Sequence, residues 1–234
     1  MTLLSMVTRI CNAPGVGLAV PTVVATSGDA GIQEILELAN QEGEELAKRA
    51  DWPELMTEKT FTTSAAAIQT GAIPSDFDRF VNGTWFNRTK MRKLVGPLSP
   101  EQWQRIQANG AVSTVIQAFR IRGADMLITP TPAAGETIAY EYLTKNWCQS
   151  SGGTGQSAWA ADTDTGVLDE RLMTLGVIWR WRKAKGFSFQ DALDTYNNEV
   201  EKAAGRAPGA PVLMMNARPF SRLPIGTIPD GSWS

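Results

Sequence analysis

Apolar residues recur along the first fifty positions at helical spacing, and the period then shortens to that of a strand. Leu3, Leu4, Val7 and Ile10 fall on one side of a short helix over residues 2–11. The turn composition Asn12-Ala13-Pro14-Gly15 ends it. A longer helix begins at Ser27 or Asp29 as N-cap and stripes Ile32, Ile35, Leu36, Ala39, Gly43, Leu46, Ala47 and Ala50. Ala39, Gly43 and Ala47 are four apart and predict a groove where a second helix can approach closely. The opposite face carries Glu34, Glu37, Glu44 and Glu45, with Glu44 and Glu45 four residues before Lys48 and Arg49.

From Thr57 to Ser64 the residues alternate and are rich in threonine, which reads as a strand. Ile73 to Phe86 is aromatic-rich and predicted to be helical in part, with Asp76-Phe77-Asp78 favouring a helix N-terminus. Met91–Gly96 predicts a short strand. Ser99-Pro100-Glu101-Gln102 is a capping box with proline at the first helical position. Phe119–Arg122, Asp125–Thr129 and Thr137–Leu143 predict a three-stranded meander, expected to pack on the helices by its apolar face, with Arg120 and Arg122 on the other face and its turns toward a partner. Residues 149–166, rich in Gly, Ser, Thr and Asp, read as a long flexible loop.

Two more helices follow. Residues 168–185 place Leu168, Leu172, Leu175 and Trp179 on one stripe, and residues 188–204 place Phe189, Ala192, Leu193, Tyr196, Val200 and Ala203 on another. The short Gly186-Phe187 link makes them an antiparallel pair. Trp181 lies about 200° around the helix from Trp179 and so needs a second surface. The fold class is therefore α+β: an antiparallel helical bundle over 1–50 and 168–205, with a β-rich insertion over 55–147. Residues 206–234 hold five prolines, yet Val212, Leu213, Phe220, Leu223, Ile225 and Trp233 make them too apolar for a solvated tail. They are expected to be extended and to lie on another chain, with Arg218 and Arg222 flanking Phe220.

Composition narrows the chemistry. The 234 residues include no histidine, and the formal charge is −2. A histidine-activated Ser or Cys nucleophile, a His-ligated metal and an imidazole switch are all excluded. Cys11 and Cys148 lack metal-site or CxxC spacing. No basic amino-terminal region precedes an apolar core, and no run spans a bilayer, so neither a signal peptide nor a membrane is expected. Gly152-Gly153-Thr154-Gly155 lacks the Lys-Ser/Thr of a phosphate loop. Two carboxylate pairs, Asp76/Asp78 and Asp162/Asp164, leave a hydrolase as one alternative. Arg171, Arg180, Arg182, Lys183 and Lys185, with Trp179 and Trp181 to stack bases, leave a nucleic-acid-binding module as another.

Several stretches in order carry a family resemblance. They are Leu38-Ala39-Asn40-Gln41-Glu42-Gly43-Glu44-Glu45-Leu46-Ala47, Trp52-Pro53-Glu54-Leu55 and Asp76-Phe77-Asp78-Arg79. Gly96-Pro97-Leu98-Ser99-Pro100-Glu101-Gln102-Trp103, Phe119-Arg120-Ile121-Arg122-Gly123, Leu127-Ile128-Thr129-Pro130 and Ile138-Ala139-Tyr140-Glu141-Tyr142 follow. Together they resemble the head-to-tail adaptor proteins of tailed bacteriophages, over roughly residues 1–204. The resemblance implies a structural virion protein at the head–tail interface, assembled in the host cytoplasm, with no catalytic residue, cofactor or metal. Its partners would be the portal protein, a tail nozzle or tube protein, and further copies of itself in a ring of twelve. Double-stranded DNA would pass through the ring without sequence-specific contact. The candidate contacts with portal or neighbour are Arg120, Arg122, Trp181, Arg218, Phe220, Arg222, Leu223, Ile225 and Trp233.

Overall fold

The chain begins with a capped turn: the Thr2 hydroxyl accepts from the Ser5 amide, and helix α1 (Leu3–Cys11) buries Leu3, Met6, Val7, Ile10 and Cys11. This computed structural model describes residues 1–109 and 117–206. Contacts divide them into two units. One comprises Met1–Met56 and the described residues from Leu143 onward; the other spans Thr57–Tyr142. Among the described residues no helix is long and apolar enough to cross a membrane.

The first unit is helical. Helix α2 (Ala30–Arg49) starts at Asp29, whose carboxylate accepts from the amides of Gly31 and Ile32 at 2.7 and 3.3 Å. Helices α4 (Glu170–Ala184) and α5 (Gln190–Arg206) form a pair, and α4 packs on α1, α2 and α5. The small-residue groove on α2 is filled at Gly43 by an indole, since a β-carbon there would lie 2.5 Å from the Trp147 ring. The close helix–helix approach occurs instead at Gly176 of α4. A β-carbon there would overlap the Glu42 carboxyl.

Because α4 touches three other helices, its buried residues run well round its circumference: Leu172, Met173, Thr174, Gly176, Val177, Arg180 and Trp181. This reverses the expected placement of the two tryptophans. Trp181 is buried at 3% exposure, while Trp179 is half-buried. A single stripe of Leu168, Leu172, Leu175 and Trp179 describes a helix with one packed face, and α4 has more than one.

Residues 149–166, expected as a flexible loop, carry three two-residue strands ordered β10-β9-β11: β9 (Cys148–Gln149), β10 (Gly155–Gln156) and β11 (Thr165–Gly166). Two carboxylates hold the segment. Asp162 accepts from the amides of Val24 and Ala25 at 3.0 and 2.8 Å, and Asp164 from those of Ala160 and Ala161, both at 2.8 Å. The backbone carbonyls of the same two residues accept from Leu4 and Leu3. Trp159 buries between these anchors, with its ring 5.4 Å from that of Trp147.

The second unit is built of strands. One sheet runs β1 (Met56–Thr62), β8 (Thr137–Thr144), β4 (Phe86–Asn87), β5 (Arg92–Lys93), with β3 (Phe77–Phe80) also paired to β8. A second sheet orders β2 (Ile68–Gln69), β7 (Asp125–Thr129) and β6 (Ala118–Arg122). Both sheets feed one core of Trp85, Leu94, Phe119, Met126, Ile128, Ile138, Tyr140 and Tyr142. Trp85 stacks on Tyr140 with centroids 3.9 Å apart, and Tyr140 donates to the Ala72 carbonyl at 2.6 Å. Helix α3 (Pro100–Asn109) begins with the expected capping box, in which the Ser99 hydroxyl accepts from the Gln102 backbone N–H and the Gln102 side-chain Oε1 from the Ser99 N–H.

Two expectations fail in this unit. Residues 73–86 form strands instead of a partial helix. Pro74 and Asn82-Gly83 leave too short a run for a stable helix, and Phe77 and Phe80 pack their rings on the aromatic core 4.3 Å apart. The three strands after residue 117 are not one meander. β6 and β7 form a hairpin, but β8 joins the other sheet. The intervening turn is tied to the end of β1: Thr63 N–H donates to the Glu136 carbonyl at 2.8 Å, and Gly135 N–H to the Thr63 carbonyl at 2.9 Å.

Candidate interaction surfaces

Alternation along β8 sends Ile138, Tyr140 and Tyr142 into the core and leaves Ala139 and Glu141 on the outer face. Just before the adjacent β4, Trp85 turns inward, and on β4 Phe86, opposite Ala139, turns outward. A groove of about 660 Å³ lies on this outer face, lined by Glu58, Phe86, Arg88, Met91, Ala139 and Glu141 among others. Phe86 is 39% and Met91 54% exposed, and Arg88 pairs with Glu58 at 2.6 Å. Met91 sits at φ +52°, a left-handed conformation uncommon for a residue with a side chain.

The turn that presents Met91 rests on a buried polar cluster. Asn87 accepts from the Lys90 amide at 2.9 Å and donates to Gln117 at 2.9 Å and to Glu136 at 2.5 Å. Glu136 also takes the Lys90 ammonium at 2.7 Å and the Ala133 amide at 3.0 Å. Burial alone would raise its carboxyl pKa, but these donors outweigh it and hold it below the usual range.

The helical unit has its own buried carboxylate. Glu42 is fully buried and accepts from Arg180 Nε at 2.8 Å and Tyr196 Oη at 2.6 Å. Arg180 is shared with Glu45, again at 2.8 Å, and its guanidinium lies 4.5 Å from the Trp179 centroid. Burial pushes the Glu42 carboxyl up to about 7, partly offset by Tyr196 and Arg180. The sequence carried one signal for this node. Glu42 falls within the apolar stripe of α2, three residues after Ala39 and four before Leu46.

Of the expected contact residues, Arg122 is exposed and Arg120 half-buried, on the face opposite Phe119. Trp181 is enclosed within the helical unit, so the folded subunit does not present it as a surface anchor; Trp179 lines a groove with Glu45, Arg49 and Tyr196 instead. Arg218, Phe220, Arg222, Leu223, Ile225 and Trp233 lie outside the described residues.

Most of the side chains behind the two alternative functions have partners within the subunit. Arg180 serves Glu42 and Glu45, Lys185 meets Glu34 at 2.6 Å, Arg171 meets Glu199 at 3.4 Å and Arg182 donates to the Pro14 carbonyl. Asp162 and Asp164 clamp backbone amides. Asp76 accepts from Tyr142 Oη at 3.1 Å, and Asp78 pairs with Arg79 at 2.6 Å. Among the described residues no group of three His, Cys, Asp or Glu side chains is placed to hold a metal ion.

The subunit is α+β, its polar groups brace its own fold, and an aromatic and a methionine stand exposed on one sheet face. Residues 1–220 match the SU10 adaptor protein family, and the chain belongs to it. It is thus a phage adaptor, a structural protein. No curated protein matches the chain.

Proposed function

We propose that the protein joins the portal vertex of the capsid to the tail as a homo-oligomeric ring of twelve copies, continuing the DNA channel at the head–tail interface. Its partners are the portal protein, a tail nozzle or tube protein and neighbouring copies. Duplex DNA passes without sequence-specific contact. The observation that carries this reading is the family match, which continues beyond α5 into the proline-rich segment and ends at residue 220.

In this reading residues 206–234 are the clamp. They bury Phe220, Leu223, Ile225 and Trp233 on a portal or a neighbouring copy, with Arg218 and Arg222 beside acidic groups. Burying an aromatic side chain contributes ~1.5–3 kcal/mol, against ~1–2 kcal/mol to order each backbone residue. The five prolines reduce that ordering cost by restricting the free chain. Arg120 and Arg122 supply a second contact from the sheet face. Negative-stain imaging of the purified chain mixed with its cognate portal tests the reading: twelve-fold rings capping the portal are expected. A chain that stays monomeric and unbound at micromolar concentration would overturn it.

A further inference from the structure

We propose that the groove around Phe86 and Met91 receives the segment centred on Phe220 from a second copy of this chain. The inference rests on the ring reading and names the surface that the clamp grips. Three observations support it.

The groove is apolar at its centre and charged at its rim. Phe86 and Met91 are large, exposed and on one side of the sheet, and Ala139 between the strands leaves the floor shallow. At about 660 Å³ it falls within the ~300–1,000 Å³ range of pockets that bury a compact ligand. A methionine suits such a surface, since its thioether adapts to the shape of what it meets.

Met91 is held in place. A non-glycine residue at positive φ costs ~1–3 kcal/mol and persists only where its surroundings over-determine it. Here the side chains of Asn87 and Glu136 fix the Lys90 amide and ammonium on the preceding residue. The backbone turn that presents Met91 is therefore built in before any partner arrives, which lowers the ordering cost of binding.

The occupant is argued from the chain that follows α5. Twenty-eight residues lie beyond Arg206, and the fourteen that lead to Phe220 can span up to ~46 Å. That exceeds the ~13 Å radius of gyration of a hundred-residue unit several times over, enough to reach a neighbour. The segment reads Arg218-Pro219-Phe220-Ser221-Arg222-Leu223, an aromatic between two cations. The groove offers Glu141, exposed on β8, and Glu58, already shared with Arg88. Its lining thus has two acids to one arginine, whereas residues 207–234 have two arginines to one acid, Asp230.

The test is a cross-link between full-length chains. Cys11 and Cys148 are buried and unpaired, so they contribute little background. Met91→Cys and Phe220→Cys proteins are prepared separately, mixed, and oxidised mildly, alone and with the cognate portal. Gln104→Cys, at an exposed position of α3, replaces Met91→Cys in the control. The expected result is a covalent dimer of one M91C and one F220C chain, forming more than ten-fold faster than the control pair. Rings seen by imaging without preferential cross-linking at Met91 would overturn this inference while leaving the ring reading intact. A doubly substituted chain that closes only on itself would overturn it as well. Failure of any assembly, with or without portal, would sink both.

Discussion

The two units each bury a glutamate, and the two glutamates are driven in opposite directions. Glu42 in the helical unit and Glu136 in the strand unit are both almost wholly enclosed. Glu42 has a phenol and one arginine, and it shares that arginine with Glu45. Glu136 has an ammonium, two side-chain amides and a backbone amide, and among the described residues no second carboxylate pairs with Lys90. Burial therefore prevails at Glu42, whose carboxyl rises, and the donors prevail at Glu136, whose carboxyl falls. The count of donors against desolvation sets the sign, and depth of burial alone does not.

The largest effect is expected from removing the arginine that pairs with Glu42. Arg180→Met leaves a buried carboxylate without its counter-charge and should destabilise the helical unit by about 3–5 kcal/mol at pH 8, read from urea unfolding. The comparison breaks if the loss is below 1 kcal/mol, because Tyr196 would then be sufficient alone. Next comes the approach of α4 to α2. Gly176→Ala places a methyl group where the Glu42 carboxyl stands and should cost about 1–3 kcal/mol through overpacking. A variant of unchanged stability would mean that the helices separate freely and that the buried node does not fix their spacing.

The pH dependence follows with opposite signs. Glu42 has a folded pKa of about 7, above the ordinary 4.5, so the folded state holds its proton across that interval. Its contribution is greatest below pH 4.5 and is lost as pH rises through 7. Glu136, lowered, contributes above its ordinary value and loses that contribution as pH falls through its folded pKa. Unfolding of the Glu42→Gln protein between pH 5 and 8 should show a flatter slope than the native chain; an unchanged slope would assign the titration elsewhere. The smallest effect belongs to Lys90→Met. Three donors remain on Glu136 and Lys90 is 44% exposed, so the cost should be about 1 kcal/mol or less. A loss matching that of Arg180→Met would erase the distinction between the two sites.

What the sequence by itself determined was local. The capping box at Ser99–Gln102, the Asp29 cap, the helix pair around Gly186 and the alternation through Phe119–Arg122 all fall where the chain's own neighbours dictate. Each depends on atoms within four residues of one another, so spacing and side-chain type suffice. Tertiary structure decided the rest. Whether β8 continues the hairpin or crosses to the other sheet depends on Thr63 meeting Glu136, 73 positions away. The groove on α2 is occupied by Trp147 and not by a helix, and Glu42 meets Arg180 across 138 positions. Asp162 turns a glycine-rich stretch into an anchored one by capping the amides of Val24 and Ala25, 138 and 137 positions away. A buried polar group takes whichever partner the packed fold brings within about 3 Å, and no periodicity along the chain encodes that choice.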